Sequence, residues 1–278
     1  MVMDGDALTN LQGVGALPGI SLQFVMESLA VVFLASLRVG AFLIASPFFG
    51  GTSVPLQPRI IMAVLLGVAV ASNVTVPNWQ SFDAMTGFQV VLTELAIGIG
   101  AGLILTIWFS SALLAGEKIA ASSGLGFAAQ IDPDSGGQTP VVSKIFSIFL
   151  TVLFLSWNGH LVVLRAILDT YQFMPVGSLP NMDVLVAGGI KAAGSMFFAA
   201  AIIMLPITGF LVAINLAVGV ISRSSPQMNL FAVGFPISMI VIFVLLYMWV
   251  DALGHSLTEL SQSGVDNVMA VLEMMSDG

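Results

Sequence analysis

Apolar residues come in six long runs along this chain, at 22–49, 60–76, 88–116, 141–173, 184–222 and 229–250, separated by short polar stretches. The windows 60–82, 95–116, 192–222 and 224–250 contain no charged residue. At about 1.5 Å of rise per residue, a helix over any of them crosses a hydrocarbon core of about 30 Å. Lipid offers backbone N–H and C=O groups no partner, so a span must be a helix or part of a closed barrel, and the alternating pattern of a barrel strand is absent. The predicted class is all-α, a polytopic helical membrane protein. Six is a floor for the number of helices. "WNGH" at 157–160 puts Asn and Gly where the fourth run can break into two half-length helices. Pro206 removes a backbone donor inside the fifth run and predicts a kink. No fixed-period repeat interrupts this order.

Charges refine the topology. Arg59 follows the first run, Lys118 and Lys144 flank the midpoint, and Arg223 follows the fifth run. The N-terminal tail 1–21, the loops at 77–87 and 174–183 and the C-terminal tail hold no Lys or Arg. Alternate loops thus carry every loop cation, as the positive-inside rule expects of six spans, with both termini on the periplasmic side. Within the runs stand Glu27, Arg38, Glu94, Arg165, Asp169 and Lys191. A charge at a helix centre costs about 2.5–3.5 kcal/mol on insertion scales, so each is expected to face protein or a cavity rather than lipid. Asn158, Arg165 and Asp169, at i, i+7 and i+11, share one stripe of an unbroken helix, where Arg165 and Asp169 can neutralise each other. Such groups either tie helices together or touch a transported species. His160 reads as a helix-end hydrogen-bonding residue rather than a ligand, and His255 as a boundary residue.

Small residues recur at Ala112, Gly116, Ala120 and Gly124, and at Gly98 and Gly102, a spacing that lets helix backbones approach closely in lipid. After residue 250 the pattern changes: Leu253, Leu257, Leu260, Val268, Leu272 and Met275 mark one face of an acidic amphipathic tail, 251–278. Without Lys or Arg it has no attraction to anionic lipid, and a protein partner is the expected neighbour.

Composition then removes whole classes. Hydrophobic residues make up 58% of the 278 and charged ones only 8%, against roughly a quarter in ordinary globular domains. The net charge of −8 reflects only seven Lys plus Arg, too few to cluster on phosphates, so no nucleic acid is expected. There is no Cys, which excludes disulfides and thiolate sites. The first residues are acidic and lack a basic n-region, so no cleaved signal is expected there. No P-loop, nucleophile elbow, H-E-x-x-H or dinucleotide fingerprint occurs. The chain reads as a non-enzyme without a cofactor, and any transport must draw its energy from elsewhere.

One stretch resists the pattern: "GLGFAAQIDPDSGGQTPVVSK" at 124–144 sets a Gly-, Ser-, Asp- and Pro-rich loop amid apolar runs. It is either an exposed connector or irregular backbone that borders water or other subunits at membrane depth. Gly124, Gly126, Gly136 and Gly137 give it freedom, Phe127 and Ile131 are apolar, and Asp132 before Pro133 is held extended or in a turn.

Four pieces in order, "SVPLQPRI" at 53–60, "GEKIAASSGLGFAAQIDP" at 116–133, "NGHLVVLRAILDTYQFMPVG" at 158–177 and "NLAVGVISRSSPQMNLFAVGFP" at 215–236, resemble the FliR family of flagellar export-gate proteins. That family lies within a wider group that includes the injectisome SctT proteins. The resemblance covers about 22–250, and "GFP" at 234–236 favours the flagellar branch. It implies a core subunit of the type III protein export gate in the bacterial inner membrane, at the flagellar basal body. The implied partners are FliP, FliQ and FlhB type subunits, membrane lipid and unfolded proteins in transit. It implies a FliP-like part at 22–183 and a FliQ-like helical hairpin at 184–250 whose turn holds Arg223, Pro226 and Gln227. The family's channel plug corresponds to 122–138, with Gly124, Gly126, Phe127, Ile131, Asp132 and Pro133 as its residues. Glu94, Asn158, His160, Arg165 and Asp169 would tie helices together. The chain departs from the pattern in its scarcity of Lys and Arg and in a second acid, Asp134. Two other readings compete, an ion-coupled small-solute transporter using Arg165, Asp169 and Glu94, which expects two symmetric halves, and a passive assembly scaffold.

Overall fold

A computed structural model describes residues 22–51, 54–74, 83–123, 141–224 and 230–276. These residues form eight helices and no strand: α1 Leu22–Ala45, α2 Leu56–Asn73, α3 Ala84–Ser122, α4 Val141–Ser156, α5 Gly159–Phe173, α6 Met182–Ser224, α7 Leu230–Met248 and α8 Val250–Ser276. The tail 1–21, the loop residues Gly124, Gly126, Phe127, Ile131, Asp132 and Pro133, and Pro226 and Gln227 of the expected turn lie outside the described residues.

Local chemistry sets the boundaries. Pro55 caps α2, and Pro58 stands in its first turn, where a missing N–H costs no intrahelical bond. The "WNGH" break occurs as the pattern predicts. Asn158 takes a left-handed conformation (φ 61°) and its carbonyl accepts from the Leu161 and Val162 N–H groups at 2.9 and 3.2 Å. A Cβ on Gly159 would lie 2.6 Å from the Phe154 ring, so α4 and α5 turn through 67° against packed aromatics. The Trp157 Nε1–H donates to Ser261 Oγ of α8 at 3.0 Å and pins this elbow. Helix α6, by contrast, runs through Pro206 as one helix of 43 residues.

Helix α3 is the hub, packed on α1, α4, α6 and α8. The small-residue stripe lies along two of these seams. A Cβ on Gly102 would stand 2.7 Å from Ala45 Cβ of α1, and one on Gly116 would stand 2.5 Å from Ser143 Cα of α4. Two apolar cores flank the hub. Phe42, Ile97, Ile104, Phe154 and Ile167 fill one, and Ile119, Phe146, Leu150, Ile203 and Leu211 the other.

The C-terminal tail corrects one expectation. Its apolar stripe is not left for a partner. Leu253, Leu257 and Leu260 enter the second core, and Val268, Leu272 and Met275 the first. The turn between α7 and α8 is 69°, and it folds the amphipathic helix back over α3, α4, α5 and α6. Among the described residues four helices are long and apolar enough to cross a membrane, and up to six spans result if each bent pair counts as one.

The seam geometry yields a testable contrast. Gly116→Val puts methyl groups against the α4 backbone and is expected to lose about 1–3 kcal/mol or more through overpacking. Gly209→Ala, in α6, meets nothing within 4 Å and is expected to be neutral or to gain up to about 1 kcal/mol. Thermal melts of the two purified variants in detergent measure the difference.

Candidate functional site: the loop stem and a buried ion pair

The central loop follows α3 and precedes α4, and the two helices pack side by side near its ends, Gly116 against Ser143. In the last turn of α3 the Ser122 hydroxyl donates to Lys118 O at 2.9 Å, and Ser123 returns its hydroxyl to Ala120 O at 2.8 Å and its N–H to Ile119 O at 3.1 Å. These bonds occupy carbonyls that a helix end otherwise leaves open. Across the seam Val142 and Ser143 are buried, and Lys118 and Lys144 point outward on either side.

The hairpin formed by α6 and α7 braces this stem. Asn215 of α6 donates from Nδ2 to Ser122 O at 3.1 Å and accepts at Oδ1 from the Ser238 hydroxyl of α7 at 2.9 Å. An amide between apolar residues needs partners for both ends, and here the two partners come from different helices. Arg223 stands exposed in the last turn of α6.

The second constellation lies on the same hub, deep in the first core. The Arg38 guanidinium of α1 forks onto Glu94 of α3, Nε to Oε2 at 2.8 Å and Nη2 to Oε1 at 3.0 Å, with the two side chains 0% and 1% exposed. Its remaining N–H groups reach Thr170 Oγ1 at 2.7 Å and Met174 O at 3.0 Å. Its plane lies 4.2 Å from the centre of the Tyr171 ring, whose hydroxyl donates to Ala35 O at 2.7 Å. Each of the three guanidinium nitrogens thus has an acceptor, which is the condition under which a buried charge pair is tolerated. Three helices and the turn after α5 are joined at this point.

The other residues singled out from sequence do not join it. Arg165 and Asp169 are 3.6 Å apart on α5, 83% and 51% exposed, in a cleft with Met269, Leu272 and Glu273 of α8. Both line that cleft at the surface of this chain, paired with each other as their spacing predicts. Asn158 contributes its backbone at the start of α5, with no side-chain cap. The ring of His160 sits 6.1 Å from Phe48 and 6.5 Å from Phe154, and its Nδ1 is buried without a hydrogen-bond partner instead of making the expected helix-end bond. Among the described residues no three His, Asp or Glu side chains group as a metal site.

Sequence reasoning marked Glu94 and Arg38 as intramembrane charges but did not pair them across 56 positions, and it did not mark Thr170, Tyr171, Asn215 or Ser238. Each of these is a polar group inside an apolar run, which was the available signal. The partner was not.

Residues 29–264 match the family model described as bacterial export proteins, family 1. The chain belongs to this family. Its relatives include several named flagellar biosynthetic protein FliR. The Escherichia coli K12 protein is 32% identical over 218 residues, 77% of this chain and 81% of its own. The Bacillus subtilis 168 protein is 29% identical over 225 residues, 80% and 86%. The Caulobacter vibrioides protein is 27% identical over 240 residues, 84% and 90%. Membership of this export family, together with four to six apolar spans, makes the chain a multi-pass membrane component of flagellar-type protein export. Both constellations described above fall inside the family match.

The ion pair predicts a sharp asymmetry between single and double changes. Glu94→Leu alone leaves a buried guanidinium without its counter-charge and is expected to cost about 3–5 kcal/mol. Arg38→Met with Glu94→Leu is expected to cost clearly less than the sum of the two single changes. Equilibrium unfolding of the three variants in one detergent supplies the coupling energy, and strict additivity contradicts the network.

Proposed function

We propose that this chain is a core, non-enzymatic subunit of the flagellar protein export gate in the bacterial inner membrane, at the basal body. FliP, FliQ and FlhB type subunits pack around it to form a conduit for unfolded flagellar proteins. In this reading 22–183 is a FliP-like part and 184–250 a FliQ-like hairpin, and the segment 122–138 stoppers the conduit, with Phe127 and Ile131 as its apolar seal. Driving energy comes from other components of the apparatus.

The observation that carries the reading is the mismatch between helix length and bilayer. Helices α3 and α6 contain 39 and 43 residues, about 58 and 64 Å at the helical rise. The hydrocarbon core is about 30 Å thick, and even a tilt of about 40° lengthens the path only to about 39 Å. On α6 large apolar side chains are exposed from Val186 to Val220, among them Phe198, Leu205, Phe210 and Leu216. That face is about 50 Å long. Lipid covers only part of it, and the remainder demands protein neighbours, as the packed helices of a multi-subunit gate supply. The packing of α3 against α4 at Gly116 and Ser143, near both ends of the central loop, agrees with a projecting stopper. The transporter reading fares worse: Glu94 is neutralised in a sealed network, apart from the exposed Arg165 and Asp169.

Two experiments test the proposal. Deleting 122–138 in an assembled gate is expected to make the membrane permeable to ions or small solutes, as read by potential-sensitive dye, and unchanged permeability of a correctly assembled complex removes the stopper. Because the chain has no Cys, a single Cys at Leu205 or Phe210 is unique. Such variants are expected to crosslink to other export subunits in cells, and labelling by lipid-soluble maleimide alone at both positions contradicts the packed assembly.

A further inference from the structure

A groove of about 360 Å³ runs between α1 and α2, with α3 closing one side. Its floor is made of small residues. Ser36 and Gly40 of α1 lie against Ala63 of α2, where a Cβ on Gly40 would stand 3.4 Å from Ala63 Cβ, and farther along one on Gly67 would stand 2.8 Å from Ser36 Cβ. Exposed Phe33, Ile44, Ile60 and Val64 form its rims. From Phe33 to Ile44 it extends about 16 Å along α1. One charged residue lines it, Arg59, and no Asp or Glu does. The guanidinium is held at the groove's end by Nη2, which donates to Gly51 O at 2.5 Å and to Val54 O. Carbonyls fix its place without cancelling its charge. Arg59 lies in the first turn of α2, beside the turn that joins two candidate spans, and so at one end of both.

An apolar crease that ends, at the end of two spans, in a cation with no carboxylate partner among the described residues is complementary to an anionic amphiphile. We propose that the groove binds one acyl chain of an anionic phospholipid, with the headgroup phosphate on Arg59. Basic pockets between membrane helices are where acidic headgroups bind, and with Nη2 given to the two carbonyls the Nη1 of Arg59 is a donor left for a phosphate oxygen. The site is independent of whether the central loop acts as a stopper.

The test uses the assembled complex, equilibrated with mixed micelles of phosphatidylglycerol and phosphatidylcholine and weighed by native mass spectrometry. Phosphatidylglycerol is expected to stay bound in preference to phosphatidylcholine. Arg59→Gln should lower its retention roughly fivefold, as about 1 kcal/mol for one cation at a membrane surface implies. Val64→Trp, which fills the groove from its exposed rim, should do the same while leaving the carbonyl contacts of Arg59 intact, and it decides the matter if Arg59→Gln fails to fold. Equal retention of the two lipids, or undiminished phosphatidylglycerol in Val64→Trp, overturns the proposal. So does a carbodiimide crosslink, in native membranes, between an Arg59→Lys variant and a carboxylate of another subunit, which would assign the groove to a protein side chain.

Discussion

Lipid tails are as apolar as leucine, so burying one greasy helix against another inside a membrane gains little from the hydrophobic effect. This constraint governs the chain. What holds α3 to its neighbours is therefore close backbone approach and polar bonding, and the sequence supplies both along one helix. Gly102 and Gly116 bring α1 and α4 to distances that a side chain would forbid, and Glu94, between the polar loops at either end, draws in Arg38. The buried pair adds what dispersion lacks, a direction. A forked carboxylate contact is satisfied in one register of α1 on α3 and in no neighbouring one. Thr170, Tyr171 and the Met174 carbonyl then extend that register to α5.

The amphipathic helix α8 shows the complementary case. Its acidic residues Asp251, Glu259, Asp266 and Glu273 are exposed, while its apolar stripe enters both cores. Four exposed acids without a single Lys or Arg do not sit in hydrocarbon, so the outer face of α8 belongs in water or against polar protein. Yet α8 packs on α3 and α6, the two longest helices. The stretch of those helices beneath it is covered by α8 and not by lipid on that side. Helix length and α8 charge thus point the same way: a considerable part of this apolar protein is shielded from lipid by protein.

Most of the architecture was legible because periodicity and breakers act locally. The elbow at Asn158 and Gly159, the long apolar α3 and the amphipathic stripe of α8 each followed from residues within one or two turns. Ends were less certain: α3 extends to 84 and 122 where the apolar run suggested 88 and 116, because polar residues near a helix end cost little. Tertiary choices were harder. The α8 stripe was sound, but composition does not say whether a face meets its own chain or another. Glu94 announced itself as an expensive charge, whereas its partner could have been any of several cations. Only packing brings Arg38 to it and leaves Arg165 outside.

Asn215 shows how such long-range pairings join parts that look separate in sequence. Its run, 184–222, reads as half of an independent hairpin, and the resemblance divides the chain just before it. The amide nevertheless bonds at one end to Ser122, the last residue of α3, and at the other to Ser238 of α7. Ser122 O is a terminal helix carbonyl that has no intrahelical donor, so the Asn215 N–H is its replacement. Parting α6 from α3 at this level breaks that bond and takes from the Ser122 carbonyl and the Asn215 amide the partners they have here. Movements of the hairpin too small to break the bond carry Ser122 with them. The stem of the central loop and the C-terminal hairpin therefore form one mechanical unit, even though more than ninety residues separate them along the chain.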